Sequence, residues 1–556
     1  MKKVIIYQVF TRLFGNRNQT RKECGTIEEN GSGKMRDFDR EVLRRIKALG
    51  VTHVWYTGII RHATTTDYSA FGIPCQHPAI VKGRAGSPYA ITDYYDIDPD
   101  IADDVDNRMV EFEALVERTH KAGMQVVIDF VPNHVARQYR SIAKPYGVKD
   151  LGETDNDGMH FSTDNNFYYC WGMRFSPDID LKGEADEPYM ELPAKATGND
   201  HFGCSPGRND WYETVKLNYG IDYCDAGGRS EHFYPVPDTW NKMTDILLFW
   251  ASKGVDAFRC DMAEMVPTAF WAWATDKVKC RYPEIKFIGE VYDPGQYRNY
   301  ISAGFDYLYD KVGMYDCVRD VICGRRKASD ITWQWQVTDD IRSHMLYFLE
   351  NHDEQRIASD FFAASGAKGV PGLIVSVLMR QNPFMLYAGQ EFGESGMDKE
   401  GFSGVDGRTT IFDYWSVPSV FRGYYDRRKQ TREERMLEAV YAKVLNVATN
   451  EQAVAEGEFY DLMYANSHIG SNLYAFLRKY GNEVLLVVAN FSSERSECDV
   501  NIPEHAFDFL DMPEGGYQAE DLLTDDKMVL SLSKGKPVRM SVGSCSGRVW
   551  KFCCKQ

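Results

Sequence analysis

Gly254-Val255-Asp256-Ala257-Phe258-Arg259-Cys260-Asp261 is a short apolar run that closes on a carboxylate, and Phe287-Ile288-Gly289-Glu290-Val291 repeats the pattern, with its carboxylate 29 positions further on. A bounded apolar run of this length reads as a buried strand. Similar runs fall at 4–10, 53–58, 125–131, 256–261, 286–292, 306–311, 345–351 and 384–389. Amphipathic stretches lie between them, for example 37–49, 107–121, 239–253 and 267–281, and Gly50 and Gly123 stand where helix C-caps are expected. Strand and helix alternating eight times predicts an α/β fold, the (β/α)8 TIM barrel. In that fold the C-terminal strand ends gather on one rim.

The alternation is interrupted between the third and fourth runs. The segment 136–237 is rich in Gly, Asp, Asn and aromatics without sustained periodicity. A structureless loop of that length is improbable, so an inserted subdomain is expected there. The barrel is then built from 1–135 and 238–455. From 456 to 556 short β-branched or alternating runs (472–479, 483–491, 528–532 and 537–542) replace the helices, which predicts a C-terminal all-β sandwich domain.

Composition excludes several classes of function. A formal net charge of −17 disfavours nucleic acid and anionic membranes, because phosphate binding needs basic clusters. No run approaches a membrane span. A neutral sugar ligand stays open, and the aromatic content of 13% can serve both a core and sugar-stacking surfaces. Thirteen cysteines without a C-x-x-C pair read as reduced thiols. The apolar run at 4–10 is too short for a secretory core, so the expected location is cytoplasmic. Cys260 neighbours Asp261, but strand alternation turns it to the opposite face, where it packs.

Four runs place polar groups on the predicted rim. They end Asp129-Phe130-Val131-Pro132-Asn133-His134, Arg259-Cys260-Asp261, Gly289-Glu290 and Glu350-Asn351-His352-Asp353. Singly, each has a structural reading as a loop cap or an internal ion pair. Together in one barrel they supply the paired carboxylates that glycosidic bond cleavage needs. Other features read as structural. Asp96-Ile97-Asp98-Pro99-Asp100 imitates a calcium loop but lacks its glycine and glutamate, so it is expected to be a solvated acidic turn. Trp271-Ala272-Trp273 and Trp333-Gln334-Trp335 are expected to pack against barrel helices. Arg427-Arg428-Lys429 reads as a solvated helix face.

In these motifs the chain resembles the α-amylase family of glycoside hydrolases, over nearly its whole length. The resemblance implies that Asp261 is the nucleophile, Glu290 the general acid/base and Asp353 the third carboxylate. It implies that Arg259 lies beside Asp261, and that His134 and His352 bind the sugar. It also implies that Tyr89, within Ser87-Pro88-Tyr89-Ala90-Ile91-Thr92-Asp93-Tyr94, is the stacking platform. Leu386-Tyr387-Ala388-Gly389-Gln390-Glu391 matches the family's usual end of the eighth strand. The resemblance leaves open a structural calcium bound through Asn133; the chemistry itself needs no cofactor. Met262-Ala263-Glu264-Met265 stands where many starch-degrading members carry a Lys-His pair. The proline-aspartate-leucine motif has two partial counterparts, Val215-Lys216-Leu217-Asn218 and Ser176-Pro177-Asp178-Ile179.

Residue chemistry supports those roles. Arg259 and Asp261 share a face two residues apart, so the guanidinium is expected to lower the Asp261 pKa. Glu290 has no basic neighbour close behind it at the end of its own strand, so it is expected to keep its proton. The implied function is a retaining hydrolase of α-glucosidic bonds in maltooligosaccharides or related α-glucans. A transglycosidase using the same intermediate is the near alternative, and a non-catalytic sugar-binding barrel the distant one.

Overall fold

The computed structural model describes residues 3–199 and 202–554. Eight parallel strands close into a barrel in sequence order: β1 (Ile5–Phe10), β2 (His53–Thr57), β3 (Gln125–Phe130), β4 (Ala257–Cys260), β5 (Lys286–Gly289), β6 (Tyr307–Tyr309), β7 (Met345–Phe348) and β8 (Phe384–Tyr387), which pairs back onto β1. All eight lie within the runs read from the sequence. Each strand is flanked by glycine, proline or a helix cap. Asp39, for example, accepts from the Val42 amide at 2.9 Å and starts the helix Arg40–Ala48.

Alternation along the strands builds the site. Ile6, Trp55, Val127, Ala257, Ile288, Tyr309, Leu346, Phe348 and Met385 form a closed apolar cluster that fills the barrel. Two positions further along β1, β2, β3, β4 and β5, the same face carries Gln8, Thr57, Asp129, Arg259 and Glu290, all buried. The apolar plug therefore ends in a polar layer at the C-terminal rim. Cys260 faces the other way and packs in the cluster between barrel and helices.

Between β3 and β4 the chain forms short antiparallel pairs: His134–Ala136 with Thr214–Lys216, Tyr169–Cys170 with Ala194–Lys195, and Ile221–Asp222 with Ser230–Glu231. Phe175, Tyr189, Ala194, Cys204 and Tyr212 give part of this segment a small core of its own, closed by Ile80. At the C-terminal end a six-stranded antiparallel sheet runs in the order Glu458–Asp461, Leu473–Tyr480, Glu483–Asn490, Ser546–Cys553, Gly515–Asp521, Lys527–Leu532. Ser496–Val500 and Val538–Val542 pair separately, making a second layer. This β domain meets the barrel through the wholly buried helix Val370–Leu378. Among the described residues, no helix is long and apolar enough to cross a membrane.

Two local expectations need correction. The acidic turn is not solvated: Asp96, Asp98 and Asp100 are buried. Asp96 pairs with Arg61 and Arg108, Asp98 with His62, and Asp100 accepts from Tyr68 and Tyr414. Acidic composition reads as exposure only until tertiary structure brings cations and hydroxyls to it. Of the two tryptophan pairs, Trp271 is buried and Trp335 packs edge-on against Phe459, but Trp333 is 65% exposed.

Candidate active site

Arg259 is the hub of the polar layer. Its side chain is wholly buried, and Nη1 lies 2.8 Å from Asp261 Oδ1 and 3.4 Å from Asp129 Oδ1. Nη2 lies 2.8 Å from Glu290 Oε2. Backbone ladders set this arrangement. Arg259 pairs with Asp129 across β3–β4, while the amides of Asp261 and Glu290 continue the ladder onto Phe130 and Cys260 carbonyls at 2.9 and 3.2 Å. Each carboxylate thus begins one residue past its strand, where the barrel opens.

Glu290 also accepts from the Met262 amide at 2.8 Å and from the Tyr292 hydroxyl at 2.5 Å. Asp353 follows β7. Its amide is held by Asn351 and its carbonyl by Arg408, and its carboxylate lies 3.2 Å from His352 Nε2. The Tyr89 hydroxyl meets the same nitrogen at 2.5 Å, and the two rings stack with centroids 5.3 Å apart. The side-chain amide of Gln8 donates to His352 Nδ1 at 2.8 Å, so the neutral ring carries its proton on Nε2, facing Tyr89 and Asp353. His134 sits at the cavity wall, 5.0 Å from the Trp211 ring.

A cavity of about 350 Å³ is lined by Asp261, Glu290, Asp353, Tyr89 and His134, with Tyr292, Trp211 and Met262. That volume is large enough for a pyranose ring, and the polar residues lining it carry hydrogen-bond donors and acceptors. Arg259 and His352 lie just behind this surface. They touch the lining side chains, Arg259 at Asp261 and Glu290, and His352 at Tyr89 and Asp353.

The charge on Asp261 differs from the expectation. Asp261 is held well above the usual carboxylate range, chiefly because it is desolvated; Arg259 pulls the other way, and Glu290, Asp353 and Asp129 add like charge. Asp129 is raised to about 7 for the same first reason, and Asp353 is raised by burial in the recessed cleft. The nearby guanidinium does not keep Asp261 acidic, because one cation is shared among Asp261, Glu290 and Asp129. Glu290 gains its basic neighbour from the adjacent strand, through Arg259. Desolvation also lowers His134 and His352 to about 3, so both are neutral hydrogen-bonding rings.

Asn133 is buried beside this cleft. Its carbonyl oxygen accepts from Lys216 Nζ at 2.6 Å, and its amide donates to the Gly198 carbonyl at 2.6 Å. Calcium needs six or more oxygen ligands. An ammonium group directed at the Asn133 oxygen does not fit that ion. Lys216 comes from Val215-Lys216-Leu217-Asn218, one of the two candidate segments. The cluster of metal-ligand type among the described residues lies elsewhere: Asp222, Asp225 and His232 have ligand atoms within 4.8 Å of one another near the surface of the inserted segment.

The family model described as "Alpha amylase, catalytic domain" matches residues 8–445. The chain belongs to the alpha-amylase family. It is therefore an enzyme of the glycosidase type, a hydrolase acting on O-glycosyl bonds. Among curated relatives, an alpha-amylase of Dictyoglomus thermophilum is 21% identical over 519 residues, covering 90% of this chain and 87% of that protein. The alpha-amylase MalA of Haloarcula japonica is 26% identical over 400 residues, 70% of this chain; the match spans only 44% of the MalA length. Among solved structures, a maltogenic alpha-amylase from Thermotoga neapolitana superposes with a TM-score of 0.64 at 20% identity, covering 99% of both chains, which shows the shared fold.

Asp129, Gln8 and Tyr292 are site residues that the sequence reading did not single out. Asp129 stood in a quoted motif and was legible by alternation from Val127. Gln8 had the same signal from Ile6, but a lone glutamine in an apolar strand carries no chemical mark. Tyr292 required knowing how the chain leaves β5.

Proposed function

We propose that this alpha-amylase family member is a retaining α-glucosidic hydrolase acting on maltooligosaccharides or related α-glucans. The observation that carries this reading is the clamp of one guanidinium on Asp261 and Glu290 at the mouth of a pyranose-sized cavity. Two carboxyls held by one planar group face a single anomeric carbon, and the spacing of about 5–5.5 Å used by retaining enzymes is compatible with that clamp. The name of the Thermotoga neapolitana relative, a maltogenic alpha-amylase, agrees with this substrate class.

The chemistry follows from the named atoms. Asp261 attacks the anomeric carbon while Glu290 protonates the departing glycosidic oxygen; the C–O bond breaks and a covalent glycosyl–Asp261 ester forms. Glu290, now ionised, takes a proton from water, which attacks the ester and frees Asp261. Three carboxylates flank Arg259 and a fourth, Asp353, lies nearby, so the empty cluster cannot lose all its protons near neutral pH. A glycosidic oxygen arriving at Glu290 draws the shared proton to that residue, and the ring cation that develops is stabilised by the remaining carboxylates. Neutral His352, its proton directed at Asp353, orients that carboxylate and Tyr89 without adding positive charge. The thirteen cysteines, all unpaired, fit a reducing cytosol.

The test is a mechanism-based one. Wild-type protein incubated with a 5-fluoroglucosyl fluoride is expected to gain one glycosyl mass on the peptide containing Asp261, and Glu290→Gln to lose nearly all turnover of maltotetraose with its fold intact. A label found on a different residue, or full turnover in Glu290→Gln, defeats the assignment.

A further inference from the structure

On the outside of the barrel a cleft of about 550 Å³ lies between the helices Arg40–Ala48 and Arg432–Asn450. Small side chains, Ala48, Ala439 and Ala442, line it together with Tyr424. Four arginines also line it: Arg44, Arg45, Arg427 and Arg435. They come from both helices and from the turn Arg427–Lys429 that precedes the second. Only two carboxylates, Glu41 and Glu438, face them, which leaves an excess of two positive charges. In a chain of net charge −17 this is a local exception, and a basic cluster is what phosphate binding needs.

Both carboxylates are already engaged. Glu41 accepts from Arg44 at 2.9 and 2.6 Å. Glu438 accepts from Arg427 at 2.9 Å and from Gln430 at 2.7 Å, and lies 3.4 Å from Arg45. Arg45 is fixed further by Tyr424: it donates to the Tyr424 carbonyl at 3.2 Å and lies 5.0 Å from the ring centroid. Arg435 is exposed and bonded to no described residue. Each guanidinium has several N–H donors in one plane, so donors remain for a further acceptor. Arg428, next to Arg427, is the solvated side chain expected of the basic run; it is 91% exposed, pairs with Asp426 and does not line the cleft. The charge balance sets the ligand class. A carboxylate leaves one guanidinium charge uncompensated, whereas a phosphate monoester carries about −1.5 to −2 near pH 7 and accepts through three oxygens. Planar guanidinium groups match those oxygens in pairs.

We propose that this cleft binds a small phosphate ester, with the phosphoryl group among Arg44, Arg427 and Arg435 and the body of the molecule on the alanine floor. Among the described residues the cleft shares no lining residue with the catalytic cavity, so this ligand and an α-glucan bind independently. The test is calorimetric titration of the full chain with phenyl phosphate, with benzoate as the carboxylate of the same ring. Phenyl phosphate is expected to bind at one site with a sub-millimolar Kd in about 20 mM salt, and about tenfold more weakly in about 200 mM salt. Benzoate is expected to bind at least about tenfold more weakly. Arg435→Gln and Arg44→Gln each weaken phenyl phosphate binding about tenfold, and Glu41→Gln, which frees Arg44, strengthens it about threefold. Arg428→Gln makes the same charge change outside the cleft and leaves binding within about twofold of wild type. Absence of binding to the wild-type protein overturns the proposal, as does benzoate binding as tightly as the phosphate. Equal losses in Arg435→Gln and Arg428→Gln overturn it by showing bulk charge at work, and a raised KM for maltotetraose in the presence of phenyl phosphate overturns it by placing the ligand in the catalytic cavity.

Discussion

Replacing Arg259 with methionine tests the electrostatic centre of the molecule. The guanidinium is buried and lies 2.8 Å from Asp261, 2.8 Å from Glu290 and 3.4 Å from Asp129. Methionine keeps the aliphatic stem and removes the charge. Removing one partner of a buried pair costs about 3–5 kcal/mol when the other charge stays ionised. The carboxylates can escape part of that cost by binding a further proton. In the unfolded chain those carboxyls are ionised above about pH 5, so each extra proton bound by the folded variant makes stability fall by about 1.4 kcal/mol per pH unit as pH rises. The sign follows from the raised folded pKa: stability is retained at low pH and lost as pH rises. Urea denaturation of wild type and Arg259→Met at pH 5.5 and pH 8.0 reads the effect. The destabilisation is expected to be small at pH 5.5 and about 3 kcal/mol larger at pH 8.0, with turnover of maltotetraose lost by at least a hundredfold. A destabilisation of equal size at both pH values refutes the shared-cation account, since it means that Arg259 contributes packing and not charge.

Three further outcomes follow from the same coordinates. Because Lys216 occupies the Asn133 oxygen, turnover is expected to be unchanged after treatment with EDTA and after added calcium, whereas Lys216→Met is expected to lower thermal stability; a chelator-sensitive wild type contradicts this. Glu391 is buried, accepts from the Tyr7 hydroxyl at 2.5 Å and is raised to about 7 by desolvation, so it opposes folding increasingly as pH rises from about 4.5 through 7. Glu391→Gln should therefore flatten the fall in melting temperature between pH 5.5 and 8.0, an effect of about 2 kcal/mol on stability over that range; a variant with the wild-type slope shows that the proton is held elsewhere. Gln8→Leu leaves His352 without its donor at Nδ1 and frees the ring to change tautomer. It is expected to lower kcat about tenfold with an unaltered melting temperature, and unchanged kcat removes the orienting role of Gln8.

Local chemistry made the barrel legible. An apolar run of four to seven residues bounded by turn signals reads as a buried strand, and glycine caps and amphipathic stretches between such runs leave few arrangements but alternating strand and helix. The period of two then settled which side chains face inward: Ala257, Arg259 and Asp261 on one face, Cys260 on the other. The rim carboxylates were readable for the same reason, since each lies just past a strand end. Pairings between distant segments were decided by tertiary structure alone. Arg259 touches Glu290 from the neighbouring strand, Lys216 reaches Asn133 across 83 positions of sequence, and Arg61 and Arg108 neutralise an acidic turn that looked solvated. Desolvation depends on every atom packed around a group. The direction of the Asp261 shift therefore became visible only when the barrel, the inserted segment and the loops past β7 and β8 had closed over it.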